Sequence, residues 1–106
     1  MNTLCKWAAM VLALVAVPAA AGDAAAGKEK SATCAACHGA DGNSPTPDFP
    51  KLAGQHEDYL LRALLDYKSG KRGNPIMQAQ VANLSRADMA DLAAWFASRQ
   101  GLLTVR

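Results

Sequence analysis

After residue 21 the sequence offers only three Val or Ile residues, Ile76, Val81 and Val105, from which to build an interior. Strands draw on β-branched side chains, so a sandwich or a parallel sheet has almost no material here. The 85 residues from 22 onward hold 37 apolar residues, and 16 of those are alanine. That leaves 21 larger apolar side chains, enough for one small helical domain and not for two. So short a chain buries a small fraction of its surface and is marginally stable on its own. Scaffolds of this size are usually fastened by disulfides, a metal or a bound cofactor.

Residues 1–21 are set apart by their composition. They carry 17 of the chain's 54 apolar residues. Lys6 gives a positive start, residues 7–17 form an uncharged 11-residue apolar run, and Pro18 breaks it before Ala19-Ala20-Ala21. This is the pattern of a cleaved secretory signal. The run is too short for a transmembrane span, which needs about 20 residues. The expected organisation is a signal over residues 1–21 and one domain over residues 22–106. Cys5 falls in the signal and has no assigned role. Export implies an oxidising compartment.

The domain carries ten basic and nine acidic residues, a net charge of +1, with the two signs interspersed. No basic face suited to nucleic acid emerges. Residues 23–36 are rich in Ala, Lys and Glu and predict a helix, with Asp23 as N-cap. Gly27 inside it costs about 1 kcal/mol and marks the close approach of another element. Residues 39–55 hold Gly39, Gly42, Pro45, Pro47, Pro50 and Gly54 and predict irregular chain. A loop this long in a small domain implies a task, such as wrapping a cofactor. In residues 56–69, Leu60, Ala63, Leu64 and Tyr67 fall on one helical stripe, with Gly70 as C-cap. Residues 71–75 read as a turn and residues 76–84 as a short helix. Ser85 and Asp88 form a capping-box pattern ahead of a last helix. Its apolar stripe is Met89, Leu92, Ala93 and Phe96, with Trp95 beside it and Gly101 closing it. The expectation is all-α: three main helices, a short one and a Pro/Gly-rich loop.

Cys34-Ala35-Ala36-Cys37-His38 carries the chemistry. Two thiols one helical turn apart can each add to a vinyl group on one edge of a haem. The next residue then presents an imidazole to the iron. This spacing is that of c-type haem attachment. A thioredoxin-like pair would need a βαβ setting. A zinc site needs four ligands, and Cys34, Cys37, His38 and His56 are a poor set, since adjacent Cys37 and His38 rarely chelate one ion. A Cys34–Cys37 disulfide would close a very short loop and leave His38 without a use. A haem bound through His38 has a second axial position, for which Met77, Met89 and His56 are the candidates. Met89 belongs to a core stripe, and His56 suits a surface or capping role at a helix start. Met77, after Pro75 in a non-repetitive segment, is favoured to loop over the other haem face.

The sequence resembles the class I cytochromes c. It is most similar to the small bacterial carriers and to the halves of the dihaem "c-four" type. The resemblance rests on Gly22-Asp23-Ala24-Ala25-Ala26-Gly27, the motif at 34–38, Gly39-Ala40-Asp41-Gly42-Asn43, Phe49-Pro50-Lys51-Leu52-Ala53-Gly54-Gln55, Met77, Leu84-Ser85 and Asp91-Leu92-Ala93-Ala94-Trp95-Phe96. It implies the class I cytochrome c fold around one covalently bound haem c. Cys34 and Cys37 would form the thioethers, with His38 and Met77 as axial ligands. Pro50 would offer its carbonyl to the Nδ1–H of His38. Gly27 would mark the crossing of first and last helices, against Trp95 or Phe96. Lys51, Gln55 and Tyr59 are candidates for the haem propionates. The dihaem relatives carry two such motifs and this sequence one, which implies a monohaem protein. The implied function is a monomeric, non-enzymatic electron carrier serving transient redox partners in the periplasm, with no membrane span after the signal. The alternative is an obligate haem subunit of a dehydrogenase or oxidase.

Overall fold

The computed structural model describes residues 22–102. The signal expected over residues 1–21, and Val105 with it, lies outside the described residues. Five helices follow in order: α1 (Ala24–Lys30), α2 (Ala32–His38), α3 (Glu57–Ser69), α4 (Pro75–Val81) and α5 (Arg86–Ala97). The described residues contain no strand, as the shortage of Val and Ile predicts. None of their helices is long and apolar enough to cross a membrane.

The first helix is not continuous. It breaks at Ser31 and resumes as far as His38. The buried Ser31 donates through Oγ to the Lys28 carbonyl at 2.7 Å, and its amide turns to the same oxygen at 3.3 Å. A hydroxyl that competes for a backbone carbonyl ends the i→i−4 ladder locally. The chain then restarts with Ala35 N–H on the Ser31 carbonyl at 2.8 Å. The break separates a helix that packs from a helix that carries the thiols.

α1 packs on α5. Asp23 caps α1 through bonds from the Ala25 and Ala26 amides, as predicted. A β-carbon built at Gly27 would lie 1.9 Å from the Asp91 carbonyl oxygen and 2.9 Å from the Trp95 Cβ. Of its two expected partners, Gly27 meets Trp95. Phe96 instead faces Gly42 in the loop. Polar bonds reinforce the crossing: Asp23 N–H donates to Asp91 Oδ1 at 2.8 Å, and Lys30 Nζ reaches Asp91 Oδ2 at 2.6 Å and Asp88 Oδ1 at 2.9 Å.

In α5 the predicted stripe is the core: Met89, Leu92 and Ala93 are 1% exposed and Phe96 3%. Both arms of the Ser85–Asp88 capping box form at 3.0 Å. The helix ends at Ala97 with Ser98 as C-cap, three residues before the predicted Gly101. Gly101 has another use: a side chain there would meet the Ala53 carbonyl, which accepts from Leu102 N–H at 2.9 Å. α3 ends at Gly70 in the left-handed conformation, φ 83°, as predicted. His56 stands at its N-cap position, exposed and without a capping bond from its ring. The 39–55 loop is irregular but tethered. Leu52 and Ala53 both donate to the Gly42 carbonyl, and Gly54 donates to the Phe96 carbonyl, at 2.8–3.1 Å. The interior is thin: Met89, Leu92 and Val81 are its largest fully buried side chains.

Candidate functional site

Helices α2, α3, α4 and α5 and the irregular loop surround a cavity of about 590 Å³. Its size falls within the range of cofactor sites. The α3 stripe predicted from sequence, Leu60, Ala63, Leu64 and Tyr67, lines one wall in full, and Leu92, Ala93 and Phe96 of α5 line another. The amphipathic face of α3 is thus turned to the cavity, and of the four only Leu60 is also buried against protein.

His38 closes α2 and is 7% exposed. Its Nδ1 lies 2.7 Å from the Pro50 carbonyl oxygen. A carbonyl only accepts, so in the neutral ring this contact puts the proton on Nδ1 and leaves the lone pair of Nε2 free to bind a metal. Phe49 packs its ring edge-on, 6.4 Å from the imidazole centroid at 66°. Cys34 and Cys37 line the same cavity as free, half-buried thiols. Burial pushes the Cys34 thiol up from its ordinary value. Among the described residues no group of three His, Cys, Asp or Glu side chains is arranged to hold a metal ion, which leaves the zinc alternative without a ligand set.

Met77 lines the cavity, and neither Met89 nor His56 does. Its setting differs from the expectation. The short helix expected over residues 76–84 forms as α4, from Pro75 to Val81, and Met77 lies in its first turn and not in a non-repetitive segment. Asn74 caps that helix, its Oδ1 accepting from the Ile76 and Met77 amides at 3.1 and 3.2 Å. Lys51, Gln55 and Tyr59 all line the cavity. So do Arg72, Asn74 and Gln80, which sequence reasoning passed over; a basic residue in a turn reads as solvated, and only the order Asn-Pro ahead of an apolar pair hinted at a capped helix. An apolar hollow with two thiols, a buried imidazole oriented through Nδ1 and a thioether on its walls fits a haem attached at Cys34 and Cys37.

The sequence profile of the Cytochrome c family matches residues 24–100. Cytochrome c4 of Pseudomonas aeruginosa is 55% identical over 100 residues, which make up 94% of this chain and 50% of that protein. Cytochrome c-554(548) of Halomonas halodenitrificans is 45% identical over 83 residues, 76% of this chain and 100% of that one. The crystal structure of reduced recombinant cytochrome c4 from Pseudomonas stutzeri superposes with a TM-score of 0.73 at 49% identity, covering 77% of this chain and 48% of that one. The chain spans about half the length of the cytochrome c4 relatives it matches. An all-helical frame wrapped on a C-x-x-C-H cavity and likeness across most of the described residues converge, and the chain belongs to the cytochrome c family.

Proposed function

We propose that this chain is a one-electron carrier between redox proteins in the periplasm, with one haem c in the cavity and His38 and Met77 as axial ligands of its iron. The observation that carries the reading is the 2.7 Å contact between His38 Nδ1 and the Pro50 carbonyl, on a cavity that Met77 also lines. Haem c, the covalently held cofactor of this family, supplies a one-electron iron couple whose potential the axial ligands set.

The chain's own residues then have distinct tasks. Cys34 and Cys37 fasten the group through thioethers. The Pro50 carbonyl holds the His38 ring in one tautomer and orientation, so that Nε2 is the ligating atom. Met77 would supply the second protein ligand, from a helical turn whose backbone the Asn74 cap fixes. The apolar walls from α3 and α5 keep water away. Two fixed ligands in both oxidation states keep reorganisation small. No side chain is asked to move a proton, so the reading is of a carrier and not an enzyme. Partners would dock transiently, over the small interfaces typical of electron-transfer encounters. The signal pattern at residues 1–21 supports the periplasmic location.

A denaturing haem stain and a visible spectrum test this directly. The expected results are covalent haem and, in the oxidised protein, a sulfur-to-iron absorption band that Met77→Ala removes while lowering the reduction potential. A band that survives in Met77→Ala moves the sixth ligand elsewhere. Rapid carbon monoxide or cyanide binding by the untreated protein contradicts a retained Met77–iron bond.

A further inference from the structure

The backbone nitrogen of Gly22 donates to Glu57 Oε1 at 3.2 Å, across 35 residues of sequence. Gly22 stands where three helices meet. It precedes Asp23, the N-cap of α1, and Glu57 is the first residue of α3. A β-carbon at Gly22 would lie 1.8 Å from the Ala90 carbonyl oxygen of α5. No side chain fits so close to backbone, and glycine is the residue that allows the approach.

Gly22 and Glu57 are both half-buried. Among the described residues Glu57 has no cation, since the ion pairs there join Lys30 to Asp88 and Asp91. An ionised carboxylate gains most from a charged donor. The neighbouring charges are already engaged. Asp91 of α5 accepts from Asp23 N–H and from Lys30 Nζ, and Asp23 caps the Ala25 and Ala26 amides. His56, next to Glu57, is exposed at the N-cap position of α3.

The sequence can supply the missing charge. Ala19 and Ala21 are the small residues of the cleavage pattern, and the next residue is Gly22. Hydrolysis of the Ala21–Gly22 bond leaves the carboxyl on Ala21 and an amine on Gly22. That amine takes up a proton at neutral pH, its ordinary pKa being about 8.

We propose that the α-ammonium created at Gly22 by removal of the leader pairs with Glu57. Export processing then completes the junction of α1, α3 and α5 with a charge that the precursor lacks. The inference rests on the signal reading of residues 1–21 and is independent of the axial ligands.

The exported holoprotein is the material for the test, as wild type, Glu57→Gln and Glu57→Asp. Intact mass and N-terminal sequencing give the first residue. An amine-reactive reagent, followed on the N-terminal peptide by mass spectrometry from about pH 6 to 10, gives the midpoint of α-amine reactivity. The expected first residue is Gly22. A partly exposed ion pair should place the wild-type midpoint about 0.4 to 0.7 units above that of Glu57→Gln, so that the amine reacts about two- to fivefold more slowly near neutral pH. Glu57→Asp, which keeps the charge, should fall between the two. Equal midpoints in wild type and Glu57→Gln overturn the proposal. So does a difference confined to the limiting rate at high pH, which marks shielding without charge, or a midpoint in Glu57→Asp as low as in Glu57→Gln. A mature chain that begins at another residue fails one stage earlier, in the signal reading, and takes the proposal with it.

Discussion

The carbonyl oxygen of Asp91 occupies the space that a β-carbon at Gly27 would need, 1.9 Å from where that atom would be built. Backbone, unlike a long side chain, cannot rotate out of the way. Alanine would raise the intrinsic helix propensity of α1 by about 1 kcal/mol. Forcing α1 off α5 costs more, because overpacking of a tight interface runs to about 1–3 kcal/mol before polar bonds are lost, and Asp23 and Lys30 both bond Asp91 here. Gly27→Ala should therefore lower the stability of the holoprotein by about 2 kcal/mol. Its denaturant midpoint checks this, and an unchanged midpoint would show that the two helices can part without cost.

Asn74 joins the 71–74 turn to the Met77 helix. Asn74→Ala removes the acceptor for the Ile76 and Met77 amides and should cost about 1 kcal/mol. If that loss falls on the first turn of α4, cyanide should displace the Met77 sulfur up to about fivefold faster. Asn74→Asp, which keeps the acceptor, should stay near the wild-type rate. Equal rates in all three proteins would uncouple the cap from the ligand.

Acid should loosen the α1–α5 crossing first. The Ser85 amide and the Lys30 ammonium hold the Asp88 carboxyl at about 2, below its ordinary 3.8. Lys30 likewise draws Asp91 down, and both acids hold the Lys30 pKa up. A depressed carboxylate stabilises the fold above its unfolded pKa, and the contribution is lost as pH falls through the folded value. The acid limb of stability against pH should thus be steep between about 4 and 2. Asp88→Asn should flatten it and weaken the protein at neutral pH. An identical acid limb in the variant would remove Asp88 from the account.

Haem supplies much of the interior, since the α3 stripe and the α5 face both end on the cavity. Cys34→Ala with Cys37→Ala should abolish covalent attachment and leave the chain largely unfolded by circular dichroism. A well-ordered helical spectrum from that variant would mean that helix packing alone carries the fold.

The elements that were legible in the sequence are those specified locally. The Asp23 cap, the Ser85–Asp88 box, the Gly70 terminus and the stripes of α3 and α5 depend on residues within one or two turns. The Ser31 break was hidden, because alanine-rich helix formers lie on both sides and the competing hydroxyl leaves no trace in periodicity. The short helix around Met77 was legible, but its first residue was not, since Asn74-Pro75 signals a turn and a capped helix start equally well. Arg72 left no signal, since only tertiary packing shows that its exposed turn borders the cavity. The pairing of His38 with Pro50, 12 residues apart, came into view through family resemblance and not through any local pattern.

The crossing of α1 and α5 joins Asp23 to Asp91, 68 residues apart. Unaided, closing a loop of that length is among the slower and less favourable steps open to a small helical chain. With haem bonded at 34–38 and at 77 as proposed, the path between the same two residues shortens to roughly 30 residues through the ring, a saving of about 0.7 kcal/mol in closure entropy. The cofactor is then a topological shortcut as well as a redox centre: it brings the two ends of the path closer before their helices have met.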